Sequence, residues 1–367
     1  MSGAASLASR GVAIAVGAWA VAALSGCTLM AGEFEPLLVS DADAGALPAL
    51  EADAGLAPPP SGEACAREAA ASCSVSIGLF EPSALDAGPA LPLPAPAPSL
   101  SLPPCPDGFG EFGAPELVGF EFDDVYGPSL SSDGRTLYFS AYVEGEQQIY
   151  SASRAARGAP FSNVAELPVV NSAAMDGSPF ITAEGQRLYF FSERPPGAPG
   201  RRDIWVSERD AEGFGSPALL RGVNSASSEL LPWLTPDELT VLFVSGRPGG
   251  SGGADVWRAT RSSISEPFGE PSSVADLSSS ENEGRAVLSA DGASAFFTSD
   301  RGGRGPDIWT ATRQAPGGEF GAPRRLELQS SAANELDVML SSDGAELFFA
   351  STRSGQSRLY RAERGCR

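Results

Sequence analysis

One pattern of roughly 52 residues occurs five times in the carboxy-terminal part of this chain, and repetition at such a period means like units that bury their faces only against one another. The copies are anchored on the turn dipeptides Asp133-Gly134, Glu184-Gly185, Asp237-Glu238, Asp291-Gly292 and Asp343-Gly344, at intervals of 51, 53, 54 and 52 residues. After each turn comes an alternating apolar strand: Leu137-Tyr138-Phe139, Leu188-Tyr189-Phe190, Val241-Leu242-Phe243, Ala295-Phe296-Phe297 and Leu347-Phe348-Phe349. A Gly-rich loop then leads to a third strand around Ile149-Tyr150, Ile204-Trp205, Val256-Trp257, Ile308-Trp309 and Leu359-Tyr360. Short strands separated by turn signals at even spacing predict antiparallel sheets.

A fourth segment recurs as Phe161-Ser162, Phe214-Gly215-Ser216-Pro217, Phe268-Gly269-Glu270-Pro271 and Phe320-Gly321-Ala322-Pro323. It also stands before the first copy, as Phe112-Gly113-Ala114-Pro115, while the fifth copy ends at Tyr360 without one. Residues 112 to 118 therefore supply the outer strand of the last unit and close a ring, which removes the open edge that an unpaired strand would leave. The expected fold is all-β: a propeller of five four-stranded antiparallel blades closed by strand exchange. Proline in the fourth segment suits an outer strand that needs few ladder bonds.

These residues resemble the TolB-type propeller repeat, a relative of the WD40 class, over about 109 to 367. Ser299-Asp300-Arg301 and Asp307-Ile308-Trp309 match its usual form, whereas the first unit has Ala141-Tyr142 and Gln148 where that family carries charges. The resemblance implies a cell-envelope protein with a protein partner.

Residues 1 to 26 hold a single charge, Arg10, then the apolar run from Gly11 to Leu24, too short to span a bilayer comfortably. The run closes on Leu24-Ser25-Gly26-Cys27, which resembles the bacterial lipobox. By that resemblance residues 1–26 are a lipoprotein signal peptide and Cys27 is the lipidated first residue, with Thr28 after it directing the protein to the outer membrane. An ordinary cleaved signal peptide or a buried helix is the alternative. Residues 27–108 form a low-complexity linker rich in Ala and Pro, without periodicity, read as a disordered stalk ahead of the propeller at 109–367.

Lipidation of Cys27 leaves four of five cysteines, an even number for an oxidising compartment with three possible connectivities. The favoured one joins Cys105 to Cys366, which flank the first and last propeller strands, and leaves Cys65 for Cys73.

Every basic residue is Arg; Lys and His are absent, which removes the commonest general base, metal ligand and Schiff-base nucleophile together. A formal charge of −21 repels phosphate backbones and argues against nucleic acid. No catalytic, cofactor or metal residue is assigned, and none of the Gly-rich loops has the Lys of a phosphate loop.

The candidate site is a set of acids eight residues before each anchor: Asp176, Glu229, Glu283 and Glu335, with Asp124 one position off in the first unit. Five blades would gather them at one mouth of the central channel, where like charges need a cation or a basic group to coexist. They have two readings. They bind a metal ion or basic peptide, or each is consumed structurally by Arg194, Arg247, Arg301 or Arg353 of the Ser-x-Arg loops. The expected function is a lipid-anchored monomer, with its propeller in the periplasm or at the surface, that acts as a protein- or ligand-binding module for an envelope protein or peptide, without enzymatic activity and touching the membrane through its lipid alone. The alternatives are a carboxylate-dependent glycan-active enzyme, since some five-bladed propellers are glycosidases, or a purely structural envelope component.

Overall fold

The computed structural model describes residues 105, 108–122, 124–195, 202–328 and 333–367. All of them belong to the second of two units into which the chain divides, Ala87–Arg367. The signal segment, Cys27, the Cys65–Cys73 pair and nearly all of the linker lie outside the described residues.

Twenty strands and no helix make up the described fold. The first in the chain, β1 (Glu116–Leu117), belongs to the last blade. Blade 1 is β2 (Val125–Leu130), β3 (Thr136–Val143), β4 (Glu146–Ser153) and β5 (Ser162–Glu166). Blade 2 is β6 (Asp176–Ile181), β7 (Arg187–Ser192), β8 (Asp203–Glu208) and β9 (Ala218–Leu219). Blade 3 is β10 (Glu229–Leu234), β11 (Thr240–Ser245), β12 (Asp255–Thr260) and β13 (Ser272–Ser273). Blade 4 is β14 (Glu283–Leu288), β15 (Ser294–Ser299), β16 (Asp307–Thr312) and β17 (Arg324–Arg325). Blade 5 is β18 (Glu335–Leu340), β19 (Glu346–Ser351), β20 (Arg358–Glu363) and then β1. The innermost strands pack in cyclic order, β2 on β6, β6 on β10, β10 on β14, β14 on β18, and β18 back on β2. This is the five-bladed ring the repeat predicts.

The local chemistry explains each corner. In the turn before β3, Asp133 accepts from Ser131 Oγ at 2.6 Å and from the Arg135 amide at 3.0 Å, and Gly134 takes φ 69°. Asp237, Asp291 and Asp343 repeat that arrangement. The second strand of each blade then crosses the core, with Phe139, Phe190, Phe243, Phe297 and Phe349 all essentially without exposure.

A clamp not read from the sequence fixes the outer strands. An arginine just beyond each third strand lies over the phenylalanine of the fourth segment: Arg154 over Phe161 at 4.7 Å, Arg209 over Phe214 at 4.2 Å, Arg261 over Phe268 at 4.4 Å and Arg313 over Phe320 at 4.5 Å. In blade 5 Arg364 stacks on Phe112 at 4.5 Å, so the displaced amino-terminal segment occupies the same place as its four counterparts. Pairing of Glu116 with Arg361 and Leu117 with Tyr360 completes the blade. A disulfide between Cys105 and Cys366 ties the two ends together. Across the same seam Arg154 grips Glu346 with two bonds of 3.0 and 2.7 Å, both side chains almost fully buried. Such a pair is costly to break from one side, because the remaining charge is stranded in low dielectric.

Candidate binding site at the channel mouth

The four repeat acids begin the innermost strands and are buried. Asp176 accepts from the Ser172 amide (2.6 Å), Ser172 Oγ (2.8 Å) and Arg194 Nη2 (2.6 Å). Glu229 accepts from the Ser225 amide (2.8 Å), Ser225 Oγ (2.6 Å), Ser245 Oγ (2.9 Å) and Arg247 Nη2 (2.8 Å). Glu283 repeats this with Ser279, Ser299 and Arg301, and Glu335 pairs with Arg353 at 2.7 Å. Each arginine also donates from Nε to the serine two residues before it. Its guanidinium is wedged between two rings, as Arg247 is between Phe243 (4.9 Å) and Trp257 (5.3 Å). Of the two readings, the geometry is the structural one: the repulsion expected among the acids is answered inside each blade by that blade's own arginine.

Blade 1 departs from this plan, and Asp124 is not the fifth member of the set. Strand registers place Val125 opposite Ala141 where the other blades place acid opposite serine. The arginine is missing as well: Phe122, 4.7 Å from Tyr150 and 5.9 Å from Phe139, packs between the corresponding rings. Asp124 lies one residue outside the strand at φ 52°, accepting from the Ser357 amide of blade 5 at 3.2 Å. Freed of the Ser-x-Arg loop, β3 and β4 run eight residues each and meet in a two-residue turn, Glu144-Gly145, with φ 53° and 91°. Positive φ at both central residues is the I′ geometry that matches strand twist. This hairpin leaves Tyr142 and Val143 as exposed apolar side chains at the mouth. Tyr142 meets Tyr126 edge to face, with centroids 6.1 Å apart at 80°.

Every innermost strand is bulged between its first two residues and the later part of its ladder. The bulge takes positive φ at Gly127, Ser178, Leu231 and Asp337, with Arg285 at the same register in blade 4. A bulge re-aims the side chain it carries. Arg285 is fully buried and crosses to other blades, donating to the carbonyls of Pro128 (2.7 Å) and Pro179 (3.3 Å), while its Nε has no partner. Burial lowers its pKa to about 10, against the opposing pull of Asp337. Asp337 accepts from the Gly127 amide at 2.9 Å. It keeps intermediate surface exposure yet is crowded by protein, and that burial pushes its carboxyl up, with Arg285 and the Gly127 amide working the other way. The sequence held a signal for these five positions, two residues after the acid, but period-two alternation alone would have put them on the acid's own face.

Among the described residues no group of three or more His, Cys, Asp or Glu side chains could hold a metal ion.

No family model matches the chain, and no curated protein sequence does either. Solved structures do. A TolB-type protein from Agrobacterium tumefaciens is 19% identical, covering 62% of this chain and 70% of that one, with a TM-score of 0.42. TolB from Acinetobacter baumannii is 14% identical over 66% of this chain and 55% of its own, with a TM-score of 0.39. The catalytic domain of the Coprinopsis cinerea GH62 α-L-arabinofuranosidase is 13% identical over 71% and 98%, with a TM-score of 0.47. In fold the chain is similar to TolB-type propellers. The likeness extends equally to enzymes and carries nothing about chemistry at these identities.

Proposed function

We propose that this chain is a cell-envelope binding module, anchored through lipidated Cys27, set off the outer membrane by residues 27–108, and presenting the propeller's channel mouth to an envelope protein or peptide. The observation that carries this reading is the broken symmetry of blade 1. Four blades use their mouth-side loops for the same acid, serine and arginine clamp, which holds each of those blades together. Blade 1 gives the clamp up and extends a hairpin bearing exposed Tyr142 and Val143 instead. An exposed aromatic on a rigid, pre-formed element is the kind of anchor that dominates interface energy. The glycan-enzyme alternative needs two carboxylates free to flank a sugar bond, and four of the repeat acids are committed to arginines. The charge of −21 supports a partner other than nucleic acid.

The test is site-specific photo-crosslinking in membranes, with the crosslinker at Glu144 on the hairpin or at Glu184 on the opposite face. One defined partner captured from position 144 only, and lost in the Tyr142→Ser, Val143→Ser double variant, supports the reading. Equal capture from both faces, or capture indifferent to the double variant, overturns it. The anchor is checked separately by fractionation: Cys27→Ala should move the protein to the soluble fraction.

A further inference from the structure

The five channel positions two residues after the acid register carry five different chemistries: Gly127, Ser178, Leu231, Arg285 and Asp337. Structural demands in a ring of repeats recur in every blade, as the arginine clamps do. A register at which all five differ is not set by a demand common to the blades, and its partly exposed members, such as Asp337, are available for recognition.

Four of the groups around this register stand together at the blade 1 to blade 5 seam. Tyr126 and Tyr142 form an edge-to-face corner. Asp337 is tied to the backbone beside Tyr126 by the bond from the Gly127 amide to its Oδ2. Asp124, two residues before Tyr126, holds the Ser357 amide. The Tyr126 phenol feels all of them: its pKa is raised first by burial, opposed by a hydrogen bond with Ser357, and raised further by Asp124, Tyr142 and Asp337. Arg285 opposes Asp337. Among the described residues Asp124 is in no ion pair, its carboxylate accepting from the Ser357 amide while Arg358 donates to the Phe122 carbonyl. The register of Tyr126 is held by Leu230 and Leu336 in blades 3 and 5, both partly exposed, and by Gly177 and Gly284 in blades 2 and 4.

We propose that this corner is a site for one organic cation on an apolar stem, the lysine ammonium or arginine guanidinium of a partner segment. A tyrosine pair, a carboxylate outside any ion pair among the described residues and the neighbouring Leu336 suit a monocation of that kind: the charge lies over a ring within about 6 Å and against the acid, while the methylene stem covers leucine. A divalent metal ion fits less well, since it demands six or more oxygen ligands, or a tetrahedral nitrogen and sulfur set, where this corner has two carboxylates. The inference rests on the binding-module reading and narrows its partner to a basic one.

The probes are N-acetyl-lysine methylamide and N-acetyl-arginine methylamide, with N-acetyl-norleucine methylamide as the neutral isostere and calcium chloride as the metal control, titrated against the whole chain and followed through tyrosine ring resonances. The cationic probes should saturate with a Kd on the order of 1 mM, about 10-fold tighter than norleucine. Asp124→Asn keeps an acceptor for the Ser357 amide, and Asn tolerates the left-handed conformation at φ 52°, so it should fold and weaken the cationic probes about 10-fold. Tyr142→Ala, at an exposed position, should weaken them about 3-fold. Equal binding of norleucine, affinities unchanged in both variants, or tighter binding by calcium that displaces the amines would each overturn the assignment. Probe failure alongside hairpin-dependent crosslinking sinks this inference and leaves the binding-module reading intact; probe binding without crosslinking overturns the partner, in both readings, and leaves only the corner's affinity for a cation.

Discussion

Replacing Glu238 by glycine sets two effects against each other with opposite signs. Glu238 occupies the turn position that is glycine in the other four repeats and adopts φ 57°, whereas Gly134, Gly185, Gly292 and Gly344 take 65 to 76°. A side chain in this left-handed region costs about 1–2 kcal/mol, so on backbone grounds alone Glu238→Gly would stabilise. The carboxylate, however, is 3% exposed and serves blades 2 and 3 at once. It accepts from Arg187 Nη1 at 3.1 and 3.3 Å and from Tyr189 Oη at 3.0 Å, and lies 3.7 Å from Arg261 Nη2. Removing one partner of a buried pair costs about 3–5 kcal/mol. That figure is discounted here, because Arg187 is partly exposed and keeps Glu208 at 3.0 Å, and Arg261 keeps its bond to the position 238 carbonyl. A cost of about 3 kcal/mol less about 1 kcal/mol of relieved strain leaves the variant about 2 kcal/mol less stable. Urea unfolding followed by tryptophan fluorescence should show an earlier midpoint at an unchanged m-value. A variant as stable as the parent, or more so, would mean that backbone strain outweighs the buried network and refute the estimate of about 2 kcal/mol.

Removal of the clamp arginine in Arg247→Ala strands Glu229 among neutral donors at 0% exposure and should cost about 3–5 kcal/mol, read in the same unfolding assay. Reduction of the Cys105–Cys366 bond, which spans 261 residues, should lower stability by up to about 5 kcal/mol and speed hydrogen exchange in β1; protection of β1 equal to that of the oxidised protein would deny the disulfide its closing role. Tyr189 is held to a pKa of about 12, chiefly by burial and next by Glu238. Because the folded value exceeds the unfolded value near 10, the stability it contributes is complete below pH of about 10 and is lost as pH rises towards 12. In Glu238→Gly the same phenol should titrate lower while staying above 10, as ultraviolet difference titration can measure.

Whatever recurs in this chain could be read from its residues before any strand was paired. Blade number, strand order, the borrowed outer strand and the Cys105–Cys366 tie were legible because a fivefold pattern states its own alignment, and because a fourth segment standing before the first copy can serve only the last. The pairing of each acid with its Ser-x-Arg arginine was legible as one of two readings, and only side-chain geometry chose between them. Where the symmetry breaks became visible once the strands were paired. Val125, not Asp124, holds the acid register, since ladder pairing rather than the nearest like residue defines equivalence. The arginine stack on Phe112 and its counterparts joins residues brought together by the ladder between third and fourth strands, and by ring closure in the last case. The channel residues were hidden most deeply, because a bulge changes which face a side chain takes, and no residue spacing announces that change before the strands are paired.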